Sequence, residues 1–251
     1  MNQKPTRHID IKGAFNIRDI GGYPTVQGTE TNWQKFIRAD CIYRLGEESQ
    51  LQLINYGART IIDLRRDEEF NLRKNVFADR ADIEFHRVDI AGDDWQDDPI
   101  SREGMEPRKW IFAIYQRFLD TRAHKFAESL STLAQPGALP GVYHCEGGQD
   151  RTGLISAMLL AIAGVANETI IADYALTAQY RVNYFFSELA PPNVDPAEYT
   201  PEVYGARNCP PEAMADTIAY LEAKYGGLEA YVRAAGVGDG QVEALKMELV
   251  G

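Results

Sequence analysis

Residues 141–165 read GVYHCEGGQDRTGLISAMLLAIAGV, and this stretch decides the fold. Pro140-Gly141 releases a very short apolar strand, Val142-Tyr143-His144, which runs straight into Cys145. The turn Cys145–Arg151 contains two adjacent glycines, and a helix opens at Arg151–Gly153. Leu154–Ala163 is apolar on every side, which predicts a central buried helix that Gly164 ends. A strand feeding through a tight turn into a buried helix is an α/β arrangement, with the helix covering a sheet.

Working outward, Lys35–Arg44, the β-branched run Thr60–Leu64 and Ile83–Val88 read as further short strands. Residues 89–99, DIAGDDWQDDP, break any periodicity and read as a loop. Trp110, Ile111, Ile114, Phe118 and Leu119 recur at helical spacing, and Phe126, Leu130 and Leu133 continue it after a break at Asp120-Thr121. Asn167 is placed to cap a helix carrying Ile170, Ile171, Tyr174, Tyr180 and Phe185. Six prolines in Pro191–Pro211 suggest an irregular excursion, and Arg18-Asp19 with Gly21-Gly22 suggests a turn. From Glu212 onward three short helices are separated by Gly226-Gly227 and Gly236–Gly240. The expected fold is one α/β domain over residues 1–251: a central twisted, mainly parallel sheet flanked by helices, with a helical C-terminal part.

The 251 residues are 45% hydrophobic, enough to bury a substantial core. The formal charge of 26 − 37 = −11 argues against a nucleic-acid or anionic-membrane partner held by bulk electrostatics. The first ten residues are polar, no secretory leader is expected, and no apolar run approaches the roughly 20 residues that cross a bilayer. Cys41, Cys145 and Cys209 are odd in number and lack metal-ligand spacing, so a reducing, cytoplasmic setting and no metal site are expected.

The chemistry lies in the turn. Such a loop directs successive backbone N–H groups into one concavity, and the helix start adds unpaired amides and its positive dipole end. Gly147 and Gly148 permit left-handed or crowded backbone there. A cysteine at that mouth is favoured as thiolate, since helix N-termini and cations lower a thiol from about 8.5 to roughly 3.5–7.5. Arg151, six positions on, can reach back and hold two oxygens of one tetrahedral anion with its planar fork.

His144-Cys145, five residues, then Arg151-Thr152-Gly153 resembles the signature of the cysteine-dependent phosphatases. With Asp150 before the arginine, it is similar to the bacterial tyrosine-phosphatase branch, whose loop usually reads HCxxGKDRTG. Asn16–Gly22 (NIRDIGG), Ile62–Arg65 (IDLR) before Glu68, Gly164-Val165 and Asp173-Tyr174 also resemble that branch, as does the region around Tyr225–Gly227 and Tyr231. The resemblance implies a phosphomonoester hydrolase without metal or cofactor. Cys145 would form a phosphocysteine, Arg151 would bind the phosphoryl oxygens, and Asp150 would be the general acid. Glu146, Gly147, Gly148, Gln149, Thr152 and Gly153 would complete the substrate-binding loop, with Thr152 hydrogen-bonding the departing sulfur.

Phosphotyrosine, in a protein or as a small phosphomonoester, is the leading substrate. Rivals are a phosphoinositide or inositol phosphate, and a catalytically silent phosphate-binding module. Gln149 stands where the branch usually has lysine, and with Glu146 and the net charge it disfavours substrates bearing several phosphates. His144 is expected to bond nearby backbone rather than act as a base. Asp150 is alternatively a partner of Arg18 or Arg65. Asp63 and the acids Asp89, Asp93, Asp94, Asp97 and Asp98 are alternative sources of the proton.

Overall fold

Alternation along the strands sorts apolar side chains onto two faces of one sheet. Ile37, Ile61 and Val142 enter one buried cluster, while Phe36, Ile62 and Tyr143, each one position away, enter another. The computed structural model describes residues 6–92, 100–191 and 194–251. Its strands are β1 (Arg18–Asp19), β2 (Phe36–Ala39), β3 (Thr60–Asp63), β4 (Glu84–Arg87) and β5 (Gly141–His144). Their order across the sheet is β1-β2-β5-β3-β4, with β1 antiparallel and every other pairing parallel. The expectation of a mainly parallel sheet flanked by helices holds.

The helices among the described residues are α1 (Glu47–Tyr56), α2 (Asp67–Leu72), α3 (Pro107–Thr121), α4 (Ala123–Leu133), α5 (Asp150–Ile162) and α6 (Asn167–Ala175). They continue with α7 (Thr177–Tyr184), α8 (Pro201–Asn208), α9 (Pro211–Tyr225), α10 (Leu228–Ala234) and α11 (Asp239–Val250). Helix α5 is buried along nearly its whole length, as an all-apolar helix must be, and α4, α6, α10 and α11 pack around it.

Four local readings change. Lys35–Arg44 yields a strand only over Phe36–Ala39, because beyond Ala39 the chain turns under the Cys145 loop. Arg18-Asp19 is not merely a turn but the edge strand β1, registered on Arg38 and Ile37. Pro191–Pro211 is not irregular throughout: Pro201 at the first turn, where no N–H is needed, starts α8, with Thr200 Oγ1 capping Val203 N–H at 3.4 Å. The helix beginning at Asn167 has Ala166 as its cap residue, and it breaks into α6 and α7 before a single π turn over Phe185–Leu189. Asp93, Asp94, Asp97 and Asp98 of the acidic loop lie outside the described residues.

Strand β5 lies between β2 and β3, so the chain that leaves its carboxyl end enters a crevice between the ends of two parallel neighbours. Leu64 N–H donates to His144 O at 2.8 Å, and Cys41 N–H donates to Glu146 O at 3.1 Å. These bonds suspend the loop that begins at Cys145 between the two neighbouring strand ends.

Candidate active site

Cys145 is almost fully buried at the floor of this crevice. The loop that follows it lines a cavity of about 370 Å³ with Glu146, Gly147, Gln149, Asp150 and Arg151. Trp110, Ile111, Ile114 and Phe118 of α3 form its apolar wall. Gly148 has φ +62°, and a Cβ there would meet Ala39 O at 2.6 Å, so the loop needs glycine at this point. Gly147 differs: a Cβ would make ordinary contact with the Arg181 guanidinium at 3.6 Å.

The loop's carbonyls are pinned from behind. Asn16 Nδ2 donates to both Gly147 O and Gly148 O at 3.1 Å, and Arg38 Nη2 donates to Gly148 O at 2.8 Å. These bonds fix two successive carbonyls of the loop, and with them the planes of their peptides. Arg38 is ion-paired to Asp173, Arg18 bonds Asn16 Oδ1, and Tyr23 O–H donates to Asp173 Oδ1 at 2.8 Å. All these groups are buried. Burial lowers Arg18 to about 10, with neighbouring Arg38 adding to the effect against Asp173.

Arg151 lies in the first turn of α5 and lines the cavity, and Glu69 takes its guanidinium at two points, 2.6 and 3.0 Å. Burial acts to raise the Glu69 carboxyl, but the Arg151 hydrogen bonds and charge outweigh it and bring the group down to about 2. Glu69 is therefore an acid of α2 that holds the loop arginine; Glu68 pairs with Arg66 at 3.4 Å. Glu146 turns to Arg73 at 2.7 Å. Gln149 Nε2 donates to Asn208 O at 2.6 Å, which draws that side chain toward the end of α8. Thr152 Oγ1 is buried and without a hydrogen-bond partner among the described residues. Gly153 N–H is already bonded to Gln149 O within α5, and the residue packs on Tyr174.

Asp150 does not pair with Arg18 or Arg65. Its Oδ1 accepts from Tyr115 O–H at 2.6 Å and from Gln149 Nε2 at 3.3 Å. Asp63 is committed elsewhere, to both ends of Arg65 at 2.7 and 2.8 Å, with His144 Nε2 at 3.4 Å. Burial acts to raise Asp63, but His144 and Arg65 outweigh it and hold the carboxyl well below the usual carboxylate range. Asp89 accepts Gly92 N–H at 2.8 Å in a local turn. His144 Nδ1 lies 3.1 Å from Cys145 O, and its Nε2 lies 2.8 Å from Asn75 Nδ2, so the ring braces backbone as expected. An acidic chain leaves room for a local basic pocket, since a site needs only a few placed cations, and the cavity has that character. Arg66, Arg102, Arg151 and Arg181 face Glu69, Glu146 and Asp150, giving 4 − 3 = +1 in a chain carrying −11. A local excess of cations thus sits inside an acidic protein.

Cys145 thus begins, at the carboxyl edge of a parallel sheet, the loop whose Glu146, Gly147, Gln149, Asp150 and Arg151 line the cavity. A family model described as the tyrosine phosphatase family matches residues 9–251, and the chain belongs to that family. It is 26% identical over 238 residues to a tyrosine-protein phosphatase of Nostoc commune, covering 90% of this chain and 78% of the relative. It is 25% identical over 281 residues to the triple specificity protein phosphatase PtpB of Mycobacterium tuberculosis, covering 96% of this chain and 99% of that one. No described helix is long and apolar enough to cross a membrane.

Sequence reasoning did not single out Glu69, Tyr115 or Arg38. Glu69 and Tyr115 carry only generic helical spacing, and Arg38 sits in a strand read for its apolar residues. Asn16 and Asp173 belonged to the resembling stretches, but nothing in their spacing indicated that they share one buried network.

Proposed function

We propose that the chain is a cysteine-dependent protein-tyrosine phosphatase working through a phosphocysteine intermediate. The observation that supports this reading is that Cys145, buried at the end of β5, opens the loop whose Asp150 and Arg151 line one cavity, with the Cys145 sulfur close enough to act on the Arg151 charge. The thiolate of Cys145 attacks phosphorus, the S–P bond forms, and the P–O bond to the leaving group breaks. Asp150 gives its proton to the departing oxygen. Water then attacks phosphorus, Asp150 takes the proton back, and the S–P bond breaks to release phosphate and restore the thiolate. Arg151 and the loop amides gain most where charge on the equatorial oxygens is greatest, in the transition state. The buried, unpartnered Thr152 hydroxyl is suited to donate to sulfur as it leaves.

Phosphotyrosine is favoured by the apolar α3 wall, against which an aromatic ring buries well. A second reading, a phosphoinositide or inositol phosphate, draws on the four cavity arginines. The test is hydrolysis of an aryl phosphate in the presence of chelator, followed by rates on a phosphotyrosine peptide and on phosphoinositides. Turnover with the peptide preferred supports the reading. Phosphate binding without turnover would reduce the chain to a binding module.

A further inference from the structure

Beside the loop, two tyrosines are joined in series to Asp150. Tyr115, fully buried on α3, donates its O–H to Asp150 Oδ1 at 2.6 Å. Its oxygen lies 2.7 Å from the O–H of Tyr174, buried on α6. A phenol has one proton, and that of Tyr115 is committed to the carboxyl, so Tyr174 is the donor in the second bond. The direction of the chain is thereby fixed: Tyr174 to Tyr115 to Asp150. Gln149 Nε2 approaches the same Oδ1 at 3.3 Å. Both donors address one oxygen of the carboxyl, and Oδ2 remains as the oxygen to carry a transferable proton.

We propose that Tyr115, backed by Tyr174, is a positioning residue that sets the orientation and proton release of Asp150 in the phosphatase reaction. The inference rests on the reading of Asp150 as general acid. In the first half-reaction the proton passes from Asp150 Oδ2 to the leaving oxygen, and the Tyr115 proton stays on its phenol. As Oδ2 loses its proton, Oδ1 takes up negative charge and the Tyr115 bond becomes charge-assisted, strengthening when the transition state needs it. The donating Tyr174 polarises Tyr115 in the same sense. Neither phenol ionises during turnover: burial, with the Asp150 charge next, pushes both well above the ordinary tyrosine range.

Other charges around Asp150 come from its neighbours. Arg151 follows it on α5, Tyr204 belongs to α8, and Cys209 follows that helix. Burial first, then Asp150, pushes the Cys209 thiol up to about 12, and burial likewise takes Tyr204 to about 12, so neither changes charge in the working range.

A donor to the carboxylate favours its ionised form, so losing the donor lets the acid keep its proton to higher pH. The experiment measures kcat against pH with an aryl phosphate of poor leaving group for wild type, Tyr115→Phe, Tyr174→Phe and Asp150→Asn. Tyr115→Phe should move the basic limb upward by roughly one to two pH units, the worth of a hydrogen bond to a charged group. Tyr174→Phe should move it the same way by less, and Asp150→Asn should abolish the limb. The position of a limb does not depend on how much of a variant is folded. A limb unmoved in Tyr115→Phe overturns the inference, as does a larger shift in Tyr174→Phe. If Asp150→Asn keeps the limb, Asp150 is not the acid, and the fault lies in the reading beneath.

Discussion

Glu69 grips Arg151 through both terminal nitrogens, with Oε2 at 2.6 Å from Nη1 and Oε1 at 3.0 Å from Nη2. A planar fork fixed at two points loses little further freedom when it meets a phosphate with its remaining N–H groups. Glu69→Gln keeps the volume but offers one acceptor oxygen. The expected result is roughly a tenfold rise in KM and in the inhibition constant of inorganic phosphate, typical of losing one charge-assisted bond. Unchanged phosphate inhibition would mean that Glu69 does not prepare Arg151.

The same pair should show in acid stability. Glu69 lies at about 2 in the folded chain, against an ordinary 4.5, so its folded value is depressed. Its contribution is complete above about pH 4.5 and is lost as pH falls through about 2. Urea titrations should therefore find wild type more stable than Glu69→Gln by a constant margin from pH 7 to 5, closing toward pH 2. A margin that stays constant to pH 2 would contradict the pairing.

Asn16 should matter to turnover without touching substrate. Asn16→Ala removes two 3.1 Å bonds to loop carbonyls and leaves Arg18 without its Oδ1 partner. Buried groups left unpaired cost about 1–3 kcal/mol each, so chemical denaturation should show a loss of that order. A kcat at least tenfold lower is expected in the protein that remains folded, because the loop amides lose their fixed direction. Normal kcat in the folded fraction would show that the loop holds its shape unaided.

Oxidation should discriminate among the cysteines. Burial, with Glu146 adding, pushes the Cys41 thiol well up, and burial with Asp150 adding takes Cys209 to about 12. Thiols so rarely ionised are poor targets for peroxide. Mild peroxide should inactivate the enzyme, bound phosphate should protect it, and mass spectrometry should find Cys145 oxidised first. Equal oxidation of all three would show that the loop does not activate its thiol.

The sheet and the loop were legible because their signals are local. β-Branched Thr60-Ile61-Ile62, the apolar run into Cys145 and the all-apolar helix after it each state their own environment. The glycine-separated helices of the tail were legible for the same reason. Helix α8 was hidden because proline counts as a breaker except at a first turn, which is where Pro201 sits. The Tyr115–Asp150 and Glu69–Arg151 contacts join residues 35 and 82 positions apart, and no period along the chain announces them. A basic pocket was compatible with the sequence, but its residues could not be named, because net charge is a sum over the chain, whereas Arg181 and Arg102 are brought in by packing.

The central claim is covalent, and rapid acid quench tests it most directly. Wild type mixed with an aryl phosphate, quenched within the first turnover and digested, should yield a phosphorylated peptide with the group on Cys145. Cys145→Ser should bind phosphate yet give neither adduct nor turnover, because a hydroxyl is far less ionised than a thiol at neutral pH. An adduct on another residue, or wild-type-like turnover in Cys145→Ser, would contradict the account.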